Sequence, residues 1–273
     1  MPSWVRAPRL LLLDSWAVQA SVSTSILIFA KHLESEPRVS FDLSSIVETH
    51  IQRFVEARRE SIKQIKLSVL LSKKNPYLFM ARHTDTPSEF AEELVAAVLS
   101  SSEETMFGDT LESVAIDICA TVFGGQKSTA TGIDLEFDRD TRRHIVAIKS
   151  GPNWGNSSQV AKLTQDFAKA TRLIRQHDSK ANVLAVNGCC YGRGVHDRGS
   201  YIKMCGAPFW ELVSGDTQMY VRLVDPLREA ASNGFVTERN GLIRRLTVEL
   251  AAGWATPAGH IDWVKVVEHC SAA

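Results

Sequence analysis

The chain has 273 residues, of which 44% are hydrophobic and 23% are charged. This composition excludes a disordered or fibrous protein and predicts one large globular domain, with or without an added lobe. Thirty-one basic residues balance thirty-one acidic residues, so net charge neither indicates nor excludes a polyanionic partner.

The cysteines and the N-terminus predict a cytoplasmic protein. Five cysteines form an odd number without a CxxC spacing, which is typical of a reduced intracellular chain. Cys189, Cys190, Cys205 and His196 can be grouped into a zinc site, but their spacing does not suit zinc, and small buried core residues explain the cysteines better. An early leucine run is interrupted by Asp14, and no stretch of about 18 apolar residues occurs, so no membrane span is expected.

Three helices are predicted before the first strand. Apolar residues recur at helical spacing from Leu43 to about Lys73, which predicts one long amphipathic helix. A second helix is predicted for residues 87–100, ended by the serine run 100–102. A third is predicted to begin with Asp109 as its N-cap and to end at Gly124.

The rest of the chain predicts a sheet flanked by helices. Residues 131–137 and 143–150 flank a polar turn, which predicts an antiparallel hairpin. A helix over residues 156–176 and an apolar strand over residues 181–190 follow. Further on come a loop-rich stretch, an apolar run "FWELV" interpreted as core, a strand "QMYVRLV", and a helix from about Asp225. The expected fold class is α/β, or α+β with a mixed sheet.

Three charged residues are predicted to share one face of the hairpin. Side chains alternate along a strand, so Asp134 and Glu136 point the same way. If the turn centres on residues 140 and 141, Asp134 lies opposite Ala147 and Glu136 lies opposite Ile145, with Lys149 on the same face. Two carboxylates and an ammonium suit a metal-dependent phosphodiesterase. The alternative is an ordinary sheet surface with cross-strand ion pairs.

These residues resemble the PD-(D/E)XK nuclease core, in which an aspartate, a turn and a lysine closing the next strand form the active site. The string "GIDLEF…IVAIKSGPNWGNSSQ" is similar to type II restriction endonucleases of the PmeII-like group. The same resemblance extends to "KNPYLF", "SSEETMFGDTLE", "CYGRG" and "CGAPFWELVSGD". These matches lie between residue 74 and about residue 227, and the first 70 residues are not covered by the resemblance. Together with the helical spacing, they lead us to expect a mostly helical region over residues 1–100 and a nuclease core with a C-terminal extension over residues 101–273.

One position departs from the superfamily pattern. An acid is expected two residues before the lysine, but Ala147 stands there. The second carboxylate must therefore come from Glu136 or from Glu112, where many of these nucleases carry an extra metal-binding glutamate. The alternative for Glu112 is a capping box in which Asp109 is the N-cap.

The resemblance also implies candidate DNA-binding residues. The loop after Lys149 is rich in uncharged hydrogen-bonding groups and leads into a helix N-terminus, which favours an anion. A Gly/Pro/Asn loop with an ordinary N-cap is the alternative. A glycine-rich basic segment further on adds two cations, so the full expected set is Asn153, Trp154, Asn156, Ser157, Ser158, Gln159, Arg193 and Lys203.

The implied function is a Mg²⁺-dependent endonuclease that cleaves double-stranded DNA at a specific sequence. Asp134, Glu112 and Glu136 are the expected metal ligands, and these three with Lys149 are the expected catalytic residues. A two-fold DNA site implies a homodimer, and restriction implies a cognate DNA methyltransferase. The alternatives are a nuclease without sequence specificity and a catalytically impaired DNA-binding protein, which Ala147 favours.

Overall fold

The computed structural model describes residues 41–230 and 236–272. The interrupted leucine run near the N-terminus lies outside these residues. The first part of the described chain is helical, with α1 (Leu43–Lys63), α2 (Leu67–Lys73), α3 (Pro76–Ala81) and α4 (Pro87–Phe123). The predicted single helix from Leu43 to Lys73 is wrong, because Lys66 is extended and separates α1 from α2. The break lets Leu67, Leu70 and Leu71 enter an apolar cluster.

The helix α4 is one continuous element of 37 residues. The prediction of two helices, separated by the serine run and restarted at Asp109, is therefore wrong. Ser101 and Ser102 each donate a side-chain hydrogen bond to an earlier carbonyl, that of Ala97 and that of Leu99, both at 3.1 Å. The serines thus satisfy their hydroxyl groups within the helix. The predicted end is confirmed, since Gly124 adopts a left-handed conformation at the C-cap.

A six-stranded mixed sheet confirms the predicted fold class. Its strand order is β1-β2-β3-β4-β6-β5. The strands are β1 (Gln126–Lys127), β2 (Leu135–Arg139), β3 (Arg142–Lys149), β4 (Val183–Cys189), β5 (Gly194–Asp197) and β6 (Ile202–Cys205). The predicted hairpin is β2–β3, and its turn residues Asp140 and Thr141 both have positive φ, as a type I′ turn requires. β3 runs parallel to β4, and β4 runs parallel to β6.

The remaining helices complete the described chain. They are α5 (Ser157–His177), α6 (Ala207–Ser214), α7 (Met219–Arg222), α8 (Val224–Ala230), α9 (Val236–Gly253) and α10 (Trp263–Ser271). The helix predicted over residues 156–176 is thus confirmed as α5. The predicted strand "QMYVRLV" is wrong, because residues 219–222 are helical. "FWELV" lies in α6 and is core, as predicted, with Phe209 and Trp210 buried.

Two apolar layers enclose the sheet. One face packs on α4, α1 and α6 through residues such as Phe137, Val146 and Ile148. The other face packs on α5 through Ile145 and Ala147. A separate helical cluster joins α2, α3, α4, α9 and α10.

The helix α4 crosses the domain boundary predicted after residue 100 and joins the helical cluster to the sheet. Ser40–Ala273 form one compact unit. Among the described helices, none combines the length and apolar character needed to cross a bilayer.

Candidate active site

The hairpin brings Asp134 and Lys149 together. The observed pairs Leu135–Val146 and Glu136–Ile145 confirm the predicted register. Asp134 immediately precedes β2, and its main-chain N–H donates to the carbonyl of Val146 at 2.9 Å. One carboxylate oxygen, Oδ2, accepts a 2.6 Å hydrogen bond from the N–H of Ile148 and lies 3.6 Å from Nζ of Lys149. The main chain of β3 therefore fixes this carboxylate beside the ammonium group.

Lys149 is held at the end of its strand while part of its side chain stays in solvent. Its Nζ donates a 2.7 Å hydrogen bond to the carbonyl of Ile148. The same atom lies 5.7 Å from the centre of the Trp154 ring, a cation–π distance. The side chain is 32% exposed, so the ammonium can reach an anion bound at this edge of the sheet.

Ala147 occupies a buried, apolar position that disfavours an acid. It is fully buried and packs in the cluster that joins the sheet to Leu163 and Phe167 of α5. A carboxylate there would be placed in an apolar interior, at a high desolvation cost. The second carboxylate of the site must come from another element.

Glu112 projects from α4 toward Asp134 and Lys149. One turn earlier on this helix, a Cβ atom at Gly108 would lie 3.2 Å from Cβ of Ser150, so α4 passes directly against the residue after Lys149. Burial and then the charge of Asp134 raise the pKa of Glu112, while Lys127 and Lys149 partly oppose the rise. Nζ of Lys127 lies 3.8 Å from Oε1 of Glu112. The carboxylates of Asp134 and Glu112 are therefore close enough for their charges to repel each other.

The capping role considered for Glu112 is wrong. Asp109 lies in the interior of α4, whose N-cap is Thr86. The capping box belongs to Thr86 and Glu89, which bond to each other's main-chain N–H groups. The carboxylate of Glu112 is therefore not needed to cap a helix.

Glu136, on the same face of the hairpin as Asp134, is bound by two other side chains. Its Oε2 forms a 2.9 Å ion pair with Nη2 of Arg143. Its Oε1 accepts a hydrogen bond from the hydroxyl of Ser128. Arg143 also pairs with Asp138 at 2.9 Å. Both oxygens of Glu136 therefore have hydrogen-bonding partners, whereas among the described residues the ion pair of Glu112 is the 3.8 Å contact with Lys127.

The loop after Lys149 contains both structural and exposed groups. Asn156 and Gln159 form a reciprocal capping box at the start of α5, with bonds of 3.0 and 2.9 Å, so they also act as an ordinary helix cap. Nε1 of Trp154 donates a 2.9 Å hydrogen bond to Oδ1 of Asn187. The other predicted contacts from this loop are exposed: Asn153, Ser157 and Ser158.

The basic segment forms a hairpin rather than a loop. β5 pairs antiparallel with β6, with His196 opposite Lys203. Nζ of Lys203 donates a 2.6 Å hydrogen bond to the carbonyl of Pro152, so this lysine ties the hairpin to the loop after Lys149. Arg193 is exposed.

Asn187 is a polar residue next to the candidate site that was not predicted from the sequence. It is fully buried in β4 beside Ala147. Its Nδ2 donates a 3.1 Å hydrogen bond to the carbonyl of Ala147, and its Oδ1 accepts from Trp154. The available signal was one amide in the otherwise apolar run "VLAVNGCC". Asn187 holds Trp154, and Trp154 in turn lies beside Lys149.

The donor set fits a magnesium ion better than a zinc ion. Within residues 41–230 and 236–272, no three His, Cys, Asp or Glu side chains form a complete metal-binding group. Mg²⁺ commonly takes only one or two carboxylates and fills its remaining positions with water and phosphate oxygens, and Asp134 and Glu112 match that need. Cys189 and Cys190 are buried, and burial raises the pKa of each thiol to about 12, as expected of core residues.

Comparisons with known proteins identify the family of the chain. None of the curated proteins matches the chain. The model of the family described as type II restriction endonuclease EcoO109I matches residues 41–234, which include the hairpin, α4 and the loop after Lys149. The match covers more than two thirds of the sequence. The chain therefore belongs to the EcoO109I family of type II restriction endonucleases, and its family is one of nucleases.

Proposed function

We propose that this protein is a Mg²⁺-dependent restriction endonuclease that cleaves double-stranded DNA at a specific sequence. The observation that carries the proposal is the 3.6 Å approach of Lys149 to Asp134, beside a glutamate whose pKa Asp134 helps to raise. An ordinary ion pair on a sheet surface does not require a second carboxylate nearby. A cation-binding site does, because the cation offsets the repulsion between the carboxylates.

Asp134 and Glu112 are the residues that would hold the magnesium ion. When bound, the ion supplies positive charge for the phosphate and lowers the pKa of water. Glu136 is the second candidate ligand from the sequence analysis, and it would have to leave Arg143 and Ser128 to reach the ion. We therefore favour Glu112.

Lys149 has the role of contacting the scissile phosphate. Its ammonium is already held by the carbonyl of Ile148 and by the ring of Trp154, so little reorganisation is needed when DNA binds. A preorganised positive charge stabilises the negative charge that develops as water attacks phosphorus in line with the leaving oxygen. Trp154 and Asn187 are positioning residues for this lysine.

The DNA-binding surface extends from this edge of the sheet. Asn153, Ser157 and Ser158 are exposed around the N-terminus of α5, where main-chain N–H groups favour phosphate. Arg193 adds an exposed cation on the neighbouring segment. The same loop is supported by the hydrogen bonds of four further predicted residues, Asn156, Gln159, Trp154 and Lys203. We propose that these residues contact DNA only through donor or acceptor atoms that those hydrogen bonds do not use.

Two further parts of the proposal follow from the family. A two-fold symmetric recognition site calls for a homodimer. A sequence-specific nuclease in a cell calls for a DNA methyltransferase that protects the host sites. Membership of the PmeII-like group remains a prediction.

Ala147 supports a second candidate function, a catalytically impaired or non-specific DNA-binding protein on the same fold. The absence of an acid at this position leaves the site dependent on Glu112 or Glu136. If neither glutamate reaches the ion, Asp134 alone holds Mg²⁺ poorly. Such a protein binds DNA without cutting it.

The test is cleavage of plasmid and phage DNA by the purified protein, in Mg²⁺ or in EDTA. Asp134→Ala and Lys149→Ala are compared with wild type, and thermal melts check that each variant folds. We expect discrete fragments that require Mg²⁺ and that both variants lose. A Mg²⁺-dependent smear of fragments would show that the protein cleaves DNA without sequence specificity. Gel shifts without products would support the impaired protein, and retained cleavage by either variant would exclude the proposed site.

A further inference from the structure

Tyr191 stands beside the candidate active site with a largely free side chain. It is the second residue after β4 and is 61% exposed. Its main-chain N–H donates to the carbonyl of Ser150 at 3.2 Å, and the N–H of Cys190 donates to the carbonyl of Lys149 at 2.9 Å. Two main-chain hydrogen bonds therefore join the segment after β4 to Lys149 and Ser150 at the end of β3.

The tip of the Tyr191 ring lies over Gly151. A Cβ atom at Gly151 would overlap Cζ and Oη of Tyr191, so glycine is the residue that allows this approach. The surface beneath the ring is also fixed. A Cβ atom at Gly192 would lie 3.0 Å from Cγ of Pro152, and the carbonyl of Pro152 accepts the bond from Lys203. An exposed aromatic ring on a fixed support loses little conformational freedom when it binds.

The Tyr191 hydroxyl is available to a ligand. Within the described residues 41–230 and 236–272 it has no hydrogen-bond partner, and it lies over Gly151. Gly151 is two residues from Lys149, which is at most about 7 Å of extended chain. A hydroxyl placed there can donate to a phosphate, and tyrosine is among the side chains that contact DNA phosphates.

We propose that Tyr191 positions the DNA by donating a hydrogen bond from its hydroxyl to a phosphate next to the scissile one, with Gly151 keeping the ring in place. This inference rests on the proposed function, because it takes DNA as the ligand of the same edge. It adds a residue that neither the active-site pattern nor the predicted DNA contacts include. The contact is present in bound substrate and in the transition state alike, so it acts mainly on binding.

The experiment compares Tyr191→Phe, which removes only the hydroxyl, with Tyr77→Phe as the matched control. Tyr77 lies on α3 in the helical cluster and is 58% exposed. Single-turnover cleavage of a plasmid is measured over a range of enzyme concentrations. For Tyr191→Phe we expect half-maximal cleavage to need about tenfold more enzyme with a maximal rate near that of wild type. Tyr77→Phe is expected to match wild type in both quantities.

Gly151→Ala tests the support of the ring. Its φ lies outside the left-handed region, so alanine fits the main chain and the methyl group displaces the tyrosine. We expect Gly151→Ala to weaken DNA use about as much as Tyr191→Phe, and the double variant to add little, since both changes remove one contact. Thermal melts exclude unfolding as the cause.

The outcomes separate this inference from the proposed function. If Tyr191→Phe equals wild type while Tyr191→Ala is impaired, the ring stacks on the DNA and the hydroxyl contact is wrong. If both variants equal wild type, Tyr191 has no role in DNA use. If wild type does not cleave, the proposed function fails. The role of Tyr191 is then tested by measuring the binding of a fluorescein-labelled DNA duplex in EDTA. Weaker binding by Tyr191→Phe would still support the contact, and unchanged binding would overturn it.

Discussion

Glu112 carries a charge that the folded chain disfavours. Burial and the neighbouring Asp134 raise its pKa, so the folded protein binds more protons than the unfolded chain between the usual carboxyl pKa and the raised one. Stability therefore falls as pH rises through that window. A residue that costs stability in the free protein and lies beside Asp134 and Lys149 is typical of a functional site.

Glu112→Gln is therefore expected to raise the Tm at neutral pH in EDTA, because it removes the disfavoured charge. The gain should disappear near pH 4, where the unmodified carboxyl is already protonated. Thermal unfolding at both pH values measures this difference. Glu104→Gln is the control, since Glu104 is exposed on the same helix and should show no comparable gain. A lower Tm for Glu112→Gln at neutral pH would show that the carboxylate stabilises the fold.

Mg²⁺ should reverse the difference in Tm between wild type and Glu112→Gln. An ion that binds only the folded protein raises its stability in proportion to the logarithm of ion concentration over Kd. We expect Mg²⁺ to raise the Tm of wild type by more than that of Glu112→Gln or of Asp134→Asn, as measured by thermal melts in a Mg²⁺ series. Equal shifts in all three proteins would mean that the ion binds elsewhere.

At the scale of elements, the continuity of α4 decides where Glu112 points. Ser101→Pro would remove one N–H donor from the helix interior and clash with the preceding turn. We expect a loss of about 3 kcal/mol or more in the free energy of unfolding, measured by urea denaturation. Ser101→Ala, the control, should stay within about 0.5 kcal/mol of wild type. If proline were also tolerated to that degree, the helix would end at the serine run after all.

The sequence predicted the elements whose local signals agree with their tertiary setting. The β2–β3 register followed from alternation and from the turn at Asp140 and Thr141, because a shift of one residue would expose the buried face. The helix α5 followed from its apolar spacing, and the structure shows Asn156 as its N-cap. Asp134 and Lys149 met as expected because both belong to this one hairpin.

Other elements were mispredicted because their local signals are ambiguous. Met219, Val221 and Leu223 alternate as in a strand, yet only Met219 and Leu223, four residues apart, are buried, which is helical spacing. The serine run looked like a break, because side-chain bonding to earlier carbonyls is invisible in a sequence. The approach of Glu112 to Asp134, and that of Tyr191 to Gly151, depend on packing between distant segments.

At the scale of the whole molecule, one buried histidine makes stability depend on pH. His144 is 2% exposed and stacks on Phe137 with ring centres 4.7 Å apart. Burial lowers its pKa to about 4, so the unfolded chain binds more protons than the folded protein between about pH 6.5 and pH 4. Stability is therefore lost as pH falls through this window.

His144→Phe should weaken this acid dependence, because phenylalanine cannot be protonated. The wild type is expected to lose about 2 kcal/mol more than the variant between pH 7 and pH 5, as measured by urea denaturation at each pH. His196→Gln is the control, since His196 is exposed and its replacement should leave the slope unchanged. An unaltered slope in His144→Phe would assign the acid sensitivity to other groups.

The identity of the second carboxylate is the central claim about the whole enzyme. The direct measurement is the single-turnover rate of Mg²⁺-dependent plasmid cleavage by Glu112→Gln and by Glu136→Gln, each compared with wild type and with Asp134→Ala. We predict that Glu112→Gln loses cleavage as completely as Asp134→Ala. Glu136→Gln should retain cleavage, because the wild-type Glu136 carboxylate is already bound by Arg143 and Ser128. Loss of cleavage in Glu136→Gln together with full activity in Glu112→Gln would contradict the account.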